Sequence, residues 1–185
     1  THLAIMYPIA KGASIINMSY AESYHWLTEM AIRYGKLKGV VFVAASGNRG
    51  INDSFYPAKY DGVLSISGIN EQSEKLFGNY GTRVSYLAPS VGIRSAGLAG
   101  DYAVKSGTSM ASAYVSGMLA YLKTFDPSLT EPQLLQYLDD SSYFLPYVHE
   151  DIQGPLQYKV LNDMQLQTLV SDNKKLAAVQ AVNNH

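Results

Sequence analysis

Four short stretches of the chain are apolar and rich in β-branched residues, and polar or glycine-rich segments separate them. The first two stretches are almost continuously apolar rather than alternating, which is typical of strands buried on both faces of a parallel sheet. We therefore predict four strands, in SIINMS (14–19), VVFVAAS (40–46), GVLSISGI (62–69) and VSYLAP (84–89).

The segment between the first two strands has the periodicity of an amphipathic helix. Its pattern, SYHWLTEMAIRYG (23–35), predicts a buried helical face made of Trp26, Leu27, Met30 and Ala31. Gly35 stands where a glycine often ends a helix. Strand, helix and strand over this length predict a βαβ unit.

Two further helices are predicted downstream. One runs from Ser106 to about Phe125 and stops at the Asp-Pro pair that follows. The other begins at TEPQ (130–133), which can form a capping box with proline in the first turn, and reaches about Asp140. We interpret residues 141–160 as loop and short edge strands.

These elements predict an α/β fold, a mostly parallel sheet with helices on both faces. We assign residues 1–170 to one domain and residues 171–185 to a polar tail with a short helix at NKKLAAVQAV (173–182). Sites in such sheets lie at the carboxyl ends of the strands, where NMSY (17–20) and ASGNRG (45–50) are expected.

Composition narrows the class of protein. The 185 residues suffice for one domain with a core, and 47% hydrophobic against 16% charged residues fits a globular protein. A formal net charge of -1 gives no basic patch for nucleic acid or an anionic membrane, and no apolar run is long enough to span a bilayer. The absence of cysteine excludes disulfides, thiolate metal sites and a cysteine nucleophile.

The start of the third predicted helix is unusual because it consists of small and hydroxyl residues. In GTSM (107–110), Ser109 would lie in the first helical turn, where free backbone N–H groups stabilise negative charge. An attacking serine needs this, since its tetrahedral intermediate carries an oxyanion. The alternative is that Thr108 or Ser109 merely caps the helix.

Asn48 follows the second strand between two glycines. Its carboxamide could donate to the same oxyanion, whereas the alternative is a simple turn asparagine. We expect Asn48→Ala to lower a reaction rate and to spare folding.

Five motifs in family order make the chain resemble the C-terminal two-thirds of a subtilisin-like serine protease, a subtilase. SGTSMASAYVSG (106–117) resembles the nucleophile motif, and VAASGN (43–48) the strand and turn of the oxyanion-hole asparagine. IINMSYA (15–21) resembles the strand whose end binds extended substrate. The other two are FYPAKYDGVLSISGIN (55–70), near the primary specificity pocket, and LAPSVGIRSA (87–96).

The resemblance implies roles for individual residues. Ser109 would be the nucleophile, and Asn48 and the backbone N–H of Ser109 would hold the oxyanion. A polypeptide substrate would be bound as an added strand between two walls. The first wall is Ser19, Tyr20 and Ala21, and the second is Ala45, Ser46 and Gly47. Pro57 matches a position that is often cis in the family.

The resemblance places the family's catalytic Asp and His upstream of INMS (16–19). Only 16 residues precede Asn17; they contain no Asp, and His2 is too close to match. We interpret the later histidines as surface or helix-face residues: His25, His149 and His185. A serine without its base is a weak nucleophile. The chain alone is therefore expected to be inactive, and its expected partner is an N-terminal portion of the domain that supplies Asp and His.

Another departure from the family lies in the nucleophile helix, where Ala113 and Tyr114 replace the usual proline and histidine. The resemblance also implies that Arg49, directly after Asn48, lies at the rim of the primary specificity pocket. It would favour an acidic or polar substrate side chain through a charge-assisted contact, unless it is an exposed arginine without selectivity. Glu22 on the other wall would act in the opposite direction.

Subtilases often bind calcium, and GINDSF (50–55) and DDSSYF (139–144) offer oxygen ligands. Neither has a recognisable ligand spacing, so we predict no metal and no cofactor.

The sequence thus predicts the portion of a serine endopeptidase that carries the nucleophile and the oxyanion hole. The alternative is an inactive pseudoprotease, or a fragment, that binds a peptide or protein in the same cleft. The intact GTSM and Asn48 favour the enzyme, because a pure binder would not need that set. Secretion is expected from what the family usually does.

Overall fold

The computed structural model describes residues 1–70 and 76–183, and a seven-stranded sheet organises them. The order across the sheet is β1 (Ile15–Met18), β2 (Val41–Ala45), β3 (Val63–Ile69), β5 (Val84–Pro89), β9 (Leu156–Leu161) and β8 (Ser142–Tyr147). The first five are parallel, whereas β8 is antiparallel to β9 and the short β4 (Leu76–Phe77) is antiparallel to β3. A separate hairpin joins β6 (Ile93–Ala96) to β7 (Tyr102–Lys105).

Helices cover both faces of this sheet, as predicted. On one face α1 (His2–Ala10) and α2 (Trp26–Leu37) pack around the Phe42 side chain. On the other face lie α3 (Thr108–Phe125), α4 (Glu131–Asp140) and α5 (Asp163–Asn183), whose core includes Val115, Leu119 and Leu138. The α/β fold with a mostly parallel sheet is confirmed.

The four predicted strands are present, but burial on both faces holds for only one of the first two. All five residues of β2 are buried. β1 lies at the end of the strand order and is only half-buried, with Asn17 exposed. The apolar pattern therefore predicted more burial for β1 than the structure shows.

Two predictions for helix α2 were wrong. Gly35 does not end the helix, which continues to Leu37. A Cβ on Gly35 would lie 2.5 Å from Cζ of Phe42, so this glycine allows close packing on the sheet. The predicted buried face is also shifted: Trp26 and Met30 are exposed, and the buried residues are Thr28, Ala31, Ile32 and Gly35.

The remaining elements follow the predictions with several changes. α3 ends before the Asp-Pro pair, and the capping box of α4 is formed, with the Thr130 N–H donating to Gln133 Oε1 at 2.8 Å. β9 is not an edge strand, because it lies between β5 and β8. The helix predicted at 173–182 is the second half of α5, so the boundary drawn at residue 170 falls inside a helix. α1 was not predicted.

Candidate active site

The candidate site lies where β1 and β2 end and α3 begins. Carboxyl ends of parallel strands share one edge of a sheet, and α3 packs across β1, β2 and β3. Eight of the nine predicted site residues line one cavity of about 290 Å³: Ser19, Tyr20, Ala21, Ala45, Gly47, Asn48, Arg49 and Ser109. Phe55 and Thr108, which were not among the predicted site residues, complete its lining.

Ser46 does not line the cavity. It is fully buried, its N–H donates to the Ile66 carbonyl at 2.9 Å, and its carbonyl accepts from Phe55 N–H at 2.9 Å. Its backbone groups are thus already used, which argues against the predicted direct contact with substrate.

The structure explains why α3 starts with small and hydroxyl residues. Gly107 precedes the helix at φ 152°, a conformation that side-chain-bearing residues rarely adopt, and no local side chain caps the helix. The cap comes from another segment instead: Asn48 Oδ1 accepts from the Thr108 N–H at 2.9 Å. The turn after β2 therefore fixes the helix end that carries Ser109.

The orientation of the Asn48 amide follows from its partners. A backbone N–H can only donate, so the atom facing Thr108 must be the oxygen. The Thr108 hydroxyl also donates to Asn48 Oδ1 at 2.9 Å and accepts from the Gly47 N–H at 3.3 Å. Nδ2 of Asn48 is left without a hydrogen bond to any described residue, on a side chain that lines the cavity with Ser109. It is available as a donor.

Asn79 holds the turn that carries Asn48, and the sequence did not reveal this. It is fully buried; its Nδ2 donates to the Ser46 carbonyl at 3.1 Å, and its Oδ1 accepts from the Arg49 N–H at 2.8 Å. Its own N–H donates to the Gly47 carbonyl at 2.8 Å. One asparagine thus bonds to backbone groups on both sides of Asn48, so the position of that amide depends on it.

Ser19 connects the end of β1 to the turn that carries Ser109. Its hydroxyl donates to the Ser109 carbonyl at 3.0 Å and lies 2.8 Å from the Ser112 hydroxyl. The half-buried Ser109 donates in return from Oγ to the Ser19 carbonyl at 3.2 Å. These bonds keep Ser109 at the cavity wall.

Comparison with known proteins identifies the family of the chain. The model of the Subtilase family matches residues 1–181. The chain belongs to the subtilase family.

Three relatives illustrate the extent of the similarity. The thermophilic serine proteinase of Bacillus sp. (strain AK1) is 43% identical over 122 residues, which are 64% of this chain and 30% of the relative. The minor extracellular protease Epr of Bacillus subtilis (strain 168) is 34% identical over 184 residues, 96% of this chain and 27% of the relative. The S218A mutant of the protease domain of PatA has a TM-score of 0.75 at 28% identity, covering 93% of this chain and 65% of that one. This subtilase chain therefore spans less than a third of the length of the first two relatives.

None of the histidines in the described part of this subtilase hydrogen-bonds to Ser109. His2 and His25 stack on each other at 5.7 Å, and His25 is exposed at the start of α2. His149 is half-buried and lies 3.0 Å from the Tyr80 hydroxyl, so it is not a free surface residue. The prediction for His185 falls outside the described residues.

Tyr114, one of the departures from the family pattern, faces α5. Burial, together with the charge and hydrogen bond of Asp163, raises the pKa of the Tyr114 phenol to about 12. Its neighbour Ala113 is exposed within an uninterrupted helix. Pro57 follows a cis peptide bond, as the resemblance implied.

Two of the carboxylates considered for calcium form ion pairs. Asp53 pairs with Lys59, and Asp139 pairs with Lys159 at 2.7 Å. No group of three or more acidic or histidine side chains that could hold a metal occurs within 1–70 and 76–183. In the same ranges, no helix has the length and apolar character needed to cross a membrane.

Proposed function

We propose that this chain is the part of a subtilisin-like serine endopeptidase that carries the nucleophile and the oxyanion hole. Ser109 attacks the peptide carbonyl, and Asn48 Nδ2 and the Ser109 backbone N–H hold the oxyanion. The observation that supports this most is that Asn48 Oδ1 accepts two hydrogen bonds from Thr108. These bonds fix the orientation of the amide and leave Nδ2 as a donor on a side chain that lines the same cavity as Ser109.

The general base and its orienting carboxylate come, on this proposal, from an N-terminal portion of the protease domain. Three observations support it. The relatives are much longer than the matched region. Among the described residues β1 pairs only with β2, which leaves its other edge open to a further strand. Ser109 Oγ donates to a carbonyl, a bond that an incoming imidazole can replace.

The substrate is a polypeptide that lies extended between the segment after β1 and the segment after β2. Ser19, Tyr20 and Ala21 form one wall, and Ala45 and Gly47 the other. Such strand-like binding uses backbone hydrogen bonds for affinity and side-chain pockets for specificity. Secretion of the protein is proposed from its relatives, one of which is an extracellular protease by name.

The test is hydrolysis of a peptide by the full-length protein. Ser109→Ala should abolish turnover, and Ser106→Ala is the matched control, since Ser106 is exposed on the same segment and only its contact with the Gly92 N–H is lost. The proposal would be contradicted if the full-length protein bound the peptide without hydrolysing it and the Ser109→Ala variant bound it equally well. That result would favour the pseudoprotease.

A further inference from the structure

Within residues 1–70 and 76–183, the cavity beside Ser109 carries a positive charge that has no ion-pair partner. Among the described residues that line it, only Arg49 is charged. None of the ion pairs formed within residues 1–70 and 76–183 includes Arg49. The guanidinium therefore has capacity to bind a carboxylate that enters the cavity.

Two contacts place the Arg49 side chain. Its backbone N–H is bound by the buried Asn79, and its guanidinium carbon lies 5.1 Å from the ring centroid of Phe55. That ring is packed against Gly47, where a Cβ would lie 2.6 Å from a ring carbon. A guanidinium stacked on an aromatic face keeps its N–H edge free, which is the edge that binds carboxylates.

Phe55 also limits the room for substrate. The cavity volume of about 290 Å³ is at the small end of the range for ligand pockets. A half-buried ring forms part of its wall. The cavity therefore has room for a single side chain of the substrate, which would lie against the Phe55 ring.

Glu22, which was expected from the sequence to act in the opposite direction to Arg49, forms no ion pair with it within residues 1–70 and 76–183. It is not part of the cavity lining, and its Oε1 is buried without a hydrogen-bond partner among the described residues. The charge of Glu22 acts on two phenols instead. Burial is the larger cause and the charge of Glu22 the second cause that raises the pKa of the Tyr20 phenol to about 12. The charge of Glu22 also contributes to the raised pKa of the Tyr60 phenol.

We propose that this cavity accepts the acidic side chain of the P1 residue, the residue on the acyl side of the scissile bond. Arg49 is the charged contact, and Phe55 is the residue that positions Arg49. This inference rests on the proposed function for its role in cleavage, but the charge preference is also measurable as binding. Because the guanidinium is exposed but able to form a two-point contact, we expect a preference of about tenfold for Asp over Asn at P1.

The experiment uses full-length protein and three fluorescent peptides that differ only in Asp, Asn or Lys at P1. Cleavage is measured with the wild-type protein, and binding is measured by anisotropy with Ser109→Ala, which does not need a working nucleophile. The Asp peptide should be preferred about tenfold over the Asn peptide and the Lys peptide should be the poorest, with the differences shrinking at high salt.

Variants assign the preference to particular side chains. Arg49→Gln should bring the Asp to Asn ratio to about one, and Arg49→Glu should make Lys the preferred residue. Phe55→Leu should lower the ratio, whereas Phe55→Tyr, which keeps the ring, should retain it. Because each ratio compares two peptides on the same variant, an unfolded fraction of the protein lowers both values equally and leaves the ratio unchanged.

Equal binding of the Asp and Asn peptides, or a ratio unchanged in Arg49→Gln, would overturn the inference. An Asp preference in binding, with no peptide cleaved by the wild-type protein, would overturn the proposed function and leave this inference standing.

Discussion

Asn48 combines a structural contact and a proposed catalytic donor in one side chain, and two substitutions separate them. Its Oδ1 accepts both hydrogen bonds from Thr108, while Nδ2 is the proposed oxyanion donor. Asn48→Ala removes both functions. Asn48→Asp keeps an acceptor oxygen for Thr108 and removes the N–H₂ donor.

The structure sets the expected cost in stability. Thr108 is fully buried, so Asn48→Ala leaves its N–H and hydroxyl without this acceptor. Loss of a helix cap costs about 0.5–2 kcal/mol, and Asn48 is exposed enough for water to replace part of it, so we expect a loss of about 1–2 kcal/mol. Asn48→Asp should lie within about 0.5 kcal/mol of the wild type, because a carboxylate near a helix N-terminus is favourable. The sequence-based expectation that Asn48→Ala spares folding is therefore revised.

Turnover should respond differently from stability. Removing one such donor lowers turnover by about 10²–10³ in subtilisin, a value taken from that enzyme rather than worked out from this structure. Both variants of the full-length protein should show a loss of this order, and the Asp charge should not rescue it. Urea unfolding and kcat on the same samples are the assay. Wild-type turnover in Asn48→Asp would refute the donor role of Nδ2, and unchanged stability in Asn48→Ala would refute the capping role.

Three further predictions concern the packing around the site. Asn79→Ala should lower the free energy of unfolding by about 2–4 kcal/mol in urea, because two backbone partners of a fully buried side chain lose their hydrogen bonds. Gly35→Ala should lower it by about 1–3 kcal/mol in the same assay, because the new Cβ would overlap the ring of Phe42. For Tyr114 the folded-state pKa of about 12 lies above the ordinary value of 10.0, so the folded state binds this proton more tightly. Its stabilisation is complete below pH 10 and is lost as the pH rises through about 12; Tyr114→Phe should flatten that part of the stability profile.

The chain offers a matched control for the packing prediction. Gly117 also lies inside a helix, but a Cβ there would meet nothing within 4 Å. Gly117→Ala should therefore be neutral or stabilise the protein by about 0.5–1 kcal/mol through helix propensity. If both glycine substitutions changed stability in the same direction and by similar amounts, contact with Phe42 would not be the cause.

The positions of the turns that carry Ser109 and Asn48 could be predicted because each turn carries its signal locally. Ser109 and Asn48 lie in short motifs next to clear apolar segments, and the parallel sheet brings those segments to one edge. The strand β2 was equally clear, since every one of its residues is apolar and buried.

Other features depend on contacts between distant segments and leave no local signal. Asn79 bonds to residues 30 and 33 positions earlier in the chain, and nothing in its neighbours marks it. Gly35 resembles a helix terminator until the ring of Phe42 is seen against it. Trp26 and Met30 are apolar yet exposed, because α2 presents smaller side chains to the sheet.

The most direct test of the central claim is the intact mass of the full-length protein after treatment with a fluorophosphonate, a reagent that labels only an activated serine. We expect one label per molecule, lost in Ser109→Ala and retained in Ser106→Ala. A protein that stays unlabelled would contradict it, because Ser109 would then lack the base that makes it a nucleophile.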